Sequence, residues 1–191
     1  MKDEVVKNIL EVGTELILEH GYHGVGLNKI LDEANIPKGS FYYYFNSKED
    51  FGIQVVQHYS IKSLALLNNC LNDETKDPRE RIISFFGHMK SVYQKKGYKE
   101  GCLLGNCSLE LSDFSEGFRK AIMIEFGKWE DVIENCIREG QERGNIKSLE
   151  SAQVLSSLIL MSWEGALLRM KVAKNADPIE TFINFLDDYV L

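Results

Sequence analysis

The densest run of chemistry in the chain is Lys38-Gly39-Ser40-Phe41-Tyr42-Tyr43-Tyr44-Phe45. Three adjacent phenols, a hydroxyl and a lysine can donate hydrogen bonds to phosphate oxygens, and tyrosine rings pack on sugars or thymine methyl groups. Gly39 permits close backbone approach, and open N–H groups at the start of a helix attract an anion such as phosphate. This is equipment for nucleic-acid recognition. The residue types of catalysis are not arranged for it: there is no nucleophile–base spacing, no phosphate loop and no metal-ligand pattern among the four histidines and four cysteines. Neither an enzymatic role nor a metal or cofactor is expected.

The elements that hold these residues read as helices throughout. Asp77-Pro78 and Asp177-Pro178 are each followed by Glu at the next-but-one position, giving an N-cap, a preset first helical residue and a capping box. Asp113 to Glu116 repeats the box without the proline, and Ser47 to Asp50 is a weaker version. Helices are therefore predicted to begin near 48, 78, 114 and 178. Ile82, Phe85, Phe86, Met89, Val92 and Tyr93 keep the three-four spacing of a buried helical face, as do Ile122, Phe126, Trp129, Ile133, Cys136 and Ile137. Nothing alternates as a half-buried strand would. Gly21, Gly97, Gly101 and Gly144 mark helix ends. The reading is all-α, with about nine helices at 2–20, 27–34, 38–44, 48–72, 78–97, 104–112, 114–142, 149–173 and 178–190. A three-helix head (1–47) precedes a larger helical body (48–191), and the fourth helix connects them.

Residues 27 to 45 have the length and turn of a helix-turn-helix. Asn35 tolerates a left-handed backbone at the turn, and Pro37 suits a new helix start. At about 100° per residue Phe41 and Phe45 share one stripe, predicted to face Ile30 and Leu31. Tyr43 then points outward, with Tyr42 and Tyr44 flanking it and Gly39 and Ser40 on the outer half.

Here the chain resembles the TetR-type transcriptional regulators. The matching string runs from the apolar first helix through Gly21-Tyr22, Ile30, Ala34, Lys38 to Phe45 and Ser47-Lys48-Glu49. The resemblance implies a homodimer that binds a pseudo-palindromic double-stranded operator, with a variable body that takes a small-molecule effector and repression relieved by it. By the same resemblance Gly26, Lys38, Gly39, Ser40, Tyr42, Tyr43 and Tyr44 lie at or near DNA, and Lys48 meets a phosphate. The family usually carries Thr or Ser at positions 25 and 26, Gly at 35 and Ser or Thr at 37. This chain has Val25, Gly26, Asn35 and Pro37 instead, which leaves Asn28, on the outer side of the second helix, to take a base contact.

In the body, a Gly-Cys-Leu-Leu-Gly-Asn string at 101–106 resembles one branch of the family, some members of which sense electrophiles or oxidants through the cysteine corresponding to Cys102. A thiol near a helix N-terminus can have a lowered pKa. Against that, cysteine is among the most buried residue types, so packing is the competing role. Phe86, Met89, Tyr93, Phe126, Trp129 and Trp163, with Cys102 and Asn106, suit an apolar pocket with a few polar groups; simple core is the alternative. Leu155, Leu158, Ser162, Gly165, Ala166 and Met170, then Phe182, Phe185 and Tyr189, fall on the two helices that the resemblance assigns to the dimer's four-helix bundle.

Composition constrains the rest. The 191 residues are 44% apolar and 27% charged, ordinary for a folded globular chain. No apolar run approaches the roughly 20 residues of a membrane-spanning helix, and the N-terminus lacks a signal-peptide core, so a cytoplasmic chain with reduced thiols is expected. The net charge of -7 counts against a nucleic-acid partner. Residues 1–46 themselves carry four lysines against seven carboxylates. Only the edge formed by Lys29, Lys38 and Lys48 is locally basic. Non-specific DNA affinity should therefore be weak, and specific binding should lean on dipoles, tyrosines and two-fold presentation. A DNA-bound protein that acts through a protein partner, without an effector, is the alternative reading.

Overall fold

The computed structural model describes residues 2–191. Among the described residues there are nine α-helices and no strand: α1 (Lys2–His20), α2 (Leu27–Glu33), α3 (Phe41–Tyr44), α4 (Lys48–Leu71), α5 (Pro78–Lys95), α6 (Leu103–Leu111), α7 (Glu116–Glu142), α8 (Ala152–Ala173) and α9 (Asp177–Phe185). A 3-10 turn at Lys38–Ser40 precedes α3, and one π-helical turn, Leu186–Val190, follows α9.

Local chemistry explains most of the boundaries. Asp77 accepts the Glu80 N–H at 2.9 Å while Glu80 accepts the Asp77 N–H at 3.1 Å, with Pro78 inside the first turn. Ser47 Oγ accepts the Asp50 N–H at 3.0 Å, and Asp50 reaches back to the Asn46 N–H at 2.8 Å. That backbone bond, with the Gln54 amide, holds the Asp50 carboxyl below its ordinary range. Gly21, Gly97, Gly101 and Gly144 all take positive φ.

Two caps differ from the sequence reading. The box at Asp113 is not used: Ser115 Oγ accepts the Phe118 N–H at 3.1 Å, and α7 begins at Glu116. The competing hydroxyl sits two residues downstream, where it also donates to Glu49. At α9, Ala176 occupies the N-cap, and Asp177 exchanges hydrogen bonds with Asn175 at 3.1 Å instead of capping. The predicted start of α8 at 149 also moves, because Ser151 accepts the Val154 N–H and sets the first helical residue at Ala152.

Packing sorts these elements into two sets. One set comprises residues through Lys62 together with Cys102–Glu125. Its core includes Ile9, Ile30, Phe41, Phe45, Phe51, Leu103, Leu104 and Phe118, all nearly or fully buried. Helix α6 and the first part of α7 thus pack with the head despite lying far along the chain. Gly52 makes room for this, since a Cβ there would meet Phe118 at 2.5 Å and Tyr22 at 2.6 Å. The second set is Ser63–Gly101 with Phe126–Leu191. Phe86, Trp163 and Phe182 form its aromatic centre, with ring centroids 4.9–5.6 Å apart.

Candidate nucleic-acid interface

The turn between α2 and α3 forms as its residue types require. Asn35 adopts φ +57°, and the Ile36 N–H closes back on the Leu31 carbonyl at 2.8 Å. Asn8 supports the turn by donating to the Ala34 carbonyl at 3.0 Å. The segment predicted as one helix over 38–44 is instead a 3-10 turn followed by α3. The Ser40 N–H reaches the Pro37 carbonyl at 2.8 Å, an i to i+3 bond of the kind that tightens helix starts. One N–H expected to face an anion is therefore already used. The outward direction of the tyrosines survives, because Phe41 and Phe45 still anchor the inner face against Phe51, with centroids 5.1–5.9 Å apart.

Phe41 is 1% exposed, whereas Tyr42 and Tyr43 are 72% and 67% exposed. Tyr44 is half-buried, its ring 5.0 Å from that of Tyr43. Lys2 lies over the Tyr43 ring at 4.6 Å. Gly26, Asn28, Lys38 and Gly39 are exposed and Ser40 is half-buried. A Cβ at Gly26 or Gly39 would meet nothing within 4 Å, and neither takes a positive φ. Nothing within the chain requires glycine at these two surface positions. Val25 is wholly buried, as an apolar residue at that position requires.

The basic edge is less open than its residue types imply. Lys38 pairs with Asp32 at 3.3 Å, and Lys29 meets the His20 ring at 2.9 Å. Lys48 turns inward, donating to the Tyr22 carbonyl at 3.0 Å and lying 4.5 Å from that ring's centroid. Burial lowers its pKa.

Of the residues grouped as a pocket lining, Phe86, Tyr93, Trp129 and Trp163 are buried, and Met89 and Phe126 half-buried, in the second packing set. Cys102 and Asn106 belong to the first set. Cys102 is the N-cap of α6 and is 4% exposed. None of the four cysteines forms a disulfide among the described residues. Burial pushes the Cys107 thiol up to about 12 and that of Cys136 to about 11, so both act as packing groups.

The bundle residues divide by face. Leu155, Ala166, Met170 and Phe182 are buried within a single chain. They lie on the inner side of α8 and α9. Leu158, Ser162, Gly165, Phe185 and Tyr189 are exposed, and the last two stack at 5.3 Å. The sequence reading omitted Val154, Met161, Leu168 and Val172, which are exposed as well. Together 154, 158, 161, 165, 168 and 172 alternate spacings of four and three, the seam of a coiled coil. That period is in the sequence, but it is interleaved with the inner stripe on a helix apolar on two sides.

Residues 9–53 match the family described as bacterial regulatory proteins, tetR family, and residues 78–186 match the tetracyclin repressor-like C-terminal domain. The chain belongs to the tetR family. It is 35% identical to the HTH-type transcriptional repressor DhaR of Mycobacterium sp. strain GP1, over 98% of this chain and 92% of that one. A regulatory protein TetR from Rhodobacter sphaeroides has a crystal structure that superposes with a TM-score of 0.90 at 30% identity, over 96% and 97% of the two chains. The reduced form of E. coli NemR also gives 0.90, at 26% identity over 98% of each.

As a tetR-family member the protein is a DNA-binding transcriptional regulator, and the helix-turn-helix described above is its family's DNA-binding unit. One feature of this tetR-family head was invisible in the sequence: Glu110, on α6, accepts the backbone N–H groups of Tyr22 and His23 at 2.9 and 2.6 Å. No local pattern announces a contact across more than eighty residues.

Proposed function

We propose that the protein is a repressor that binds a pseudo-palindromic duplex as a homodimer, seats residues 38–44 in the major groove, and is released by a small apolar or electrophilic molecule. The carrying observation is the pair of largely exposed tyrosines, Tyr42 and Tyr43, beside Gly39, where an added Cβ would meet nothing within 4 Å among the described residues. An exposed aromatic pair is costly to leave in water unless a partner covers it. Asn28, Lys38 and Ser40 flank that surface, and Gly26 opens α2 with room for a backbone to approach. The names of DhaR and NemR as repressors support the sign of regulation.

Dimerisation through the exposed seam of α8, with Phe185 of α9 and Tyr189 of the turn after it, would present two reading heads to two half-sites about one helical turn apart. The effector is proposed to act in the second packing set, among Phe86, Met89, Tyr93, Phe126, Trp129 and Trp163, or covalently at Cys102 in the first. No catalytic step is assigned.

Selection of duplexes from a random pool by the purified protein tests the DNA reading, since a regulator enriches one palindromic motif. Treating that complex with an electrophile such as N-ethylmaleimide, for the native protein and for Cys102→Ser, then tests the covalent switch. Release that persists in the serine variant assigns the effect elsewhere.

A further inference from the structure

The handles of Tyr22 are held by three different helices. Its N–H is accepted by Glu110 of α6, its carbonyl accepts the Lys48 ammonium of α4, and its ring packs edge-on against Phe118 of α7 at 5.0 Å. The second Glu110 oxygen takes the His23 N–H, and the carboxylate lies against Gly21, whose φ of +77° ends α1. Burial, with Glu49, Cys107 and Glu110 nearby, pushes the Tyr22 phenol up to about 12, keeping it neutral. Residues 21–26 set the angle at which α2 leaves α1, and the packed pair α2–α3 carries Tyr42 and Tyr43. A carboxylate that accepts two successive backbone N–H groups makes charge-assisted bonds about twice as strong as neutral ones. Helix α6 is nine residues long, so Glu110 ties the turn to the same short element whose N-cap position Cys102 occupies.

We propose that Glu110 is a positioning residue for operator recognition: it fixes the α1–α2 turn, and through it the reading helix, without touching DNA. This rests on the repressor reading above. Its sign separates it from simple electrostatics. Neutralising a carboxylate in the head removes repulsion from phosphates and should tighten DNA binding. Loss of positioning weakens it. Glu110→Gln keeps one acceptor oxygen but turns an amide donor toward a backbone N–H. Glu110→Asp keeps the charge but is one methylene too short to span both groups.

The test measures affinity for the duplex selected by the native protein, well below each variant's thermal midpoint, together with hydrogen exchange at Tyr22 and His23. Both variants should bind about tenfold or more weakly, with an unchanged dependence on salt because no phosphate contact is lost, and the two amides should exchange faster. A folded variant of either kind that binds as tightly as the native protein overturns the proposal, even if its melting temperature has dropped. Should the glutamine variant fail to fold, the aspartate variant decides alone. If the native protein selects no duplex, the repressor reading fails first and the positioning role falls with it.

Discussion

Arg81 and Glu139 form a two-oxygen ion pair, at 3.1 and 2.9 Å, in which the arginine is almost wholly buried. The same guanidinium donates to the backbone carbonyls of Leu71, Asp73 and Lys76, so one side chain binds the α4–α5 connection to α7. Arg81→Met should destabilise the fold by about 2–4 kcal/mol, because it strands three carbonyls and leaves the Glu139 carboxylate with Arg143 at 2.9 Å in place of two guanidinium partners. The partly exposed Glu139 keeps the value below that of a fully buried pair. Urea unfolding at neutral pH measures it, and a loss under 1 kcal/mol would show that water replaces the guanidinium without cost.

Tyr43 and Phe41 lie two residues apart on one short helix and should fail in opposite ways. Tyr43→Ala is expected to weaken specific DNA binding by about 1–3 kcal/mol and leave the melting temperature unchanged. Phe41→Ala removes a core ring and should cost about 3–5 kcal/mol of stability. Gel-shift titration paired with thermal melting separates the two; a Tyr43 variant with native affinity removes that contact from the interface.

Gly165 is exposed, and a Cβ there meets nothing within 4 Å among the described residues. Gly165→Arg should therefore fold normally and sediment as a monomer. An intact dimer for this variant in analytical ultracentrifugation would place the two-fold contact on another surface.

His58 supplies a pH dependence. Its Nε2 is buried without a hydrogen-bond partner among the described residues, and burial first, then Lys62 and Lys7, lower its pKa while Glu11 opposes them. The unfolded chain therefore binds a proton at this site before the folded one does. Stability is complete above the unfolded value of about 6.5 and declines as pH falls through it toward the folded value. Denaturation midpoints from pH 8 to 5.5 should fall less for His58→Gln than for the native chain. Parallel curves would mean that another group carries the effect.

The head was readable from the sequence because its information is local. Asn35, Gly21 and the Phe41–Phe45 spacing each constrain the backbone or face of a few neighbours, and all three behave as their chemistry dictates. The start of α7 was misread because Asp113 and Ser115 are both competent caps, and only the approach of Glu49 favours the serine. Apolar residues on α8 were recognised as a set, but a helix apolar on two sides does not disclose which stripe is internal. Leu155 and Met170 face inward; Leu158 and Met161 do not. Glu110 was the least legible, as its partners are set by tertiary packing alone.

The packing of α6 and early α7 with the first sixty residues has a consequence for synthesis. The DNA-reading end leaves the ribosome first, yet Phe118, Leu103 and Leu104, which fill its core, arrive much later. About sixty further residues, roughly 3–12 s of elongation, separate Lys62 from Glu125. During that interval the apolar faces of α1 and α4 await their partners, so the reading head is completed only by residues synthesised after it.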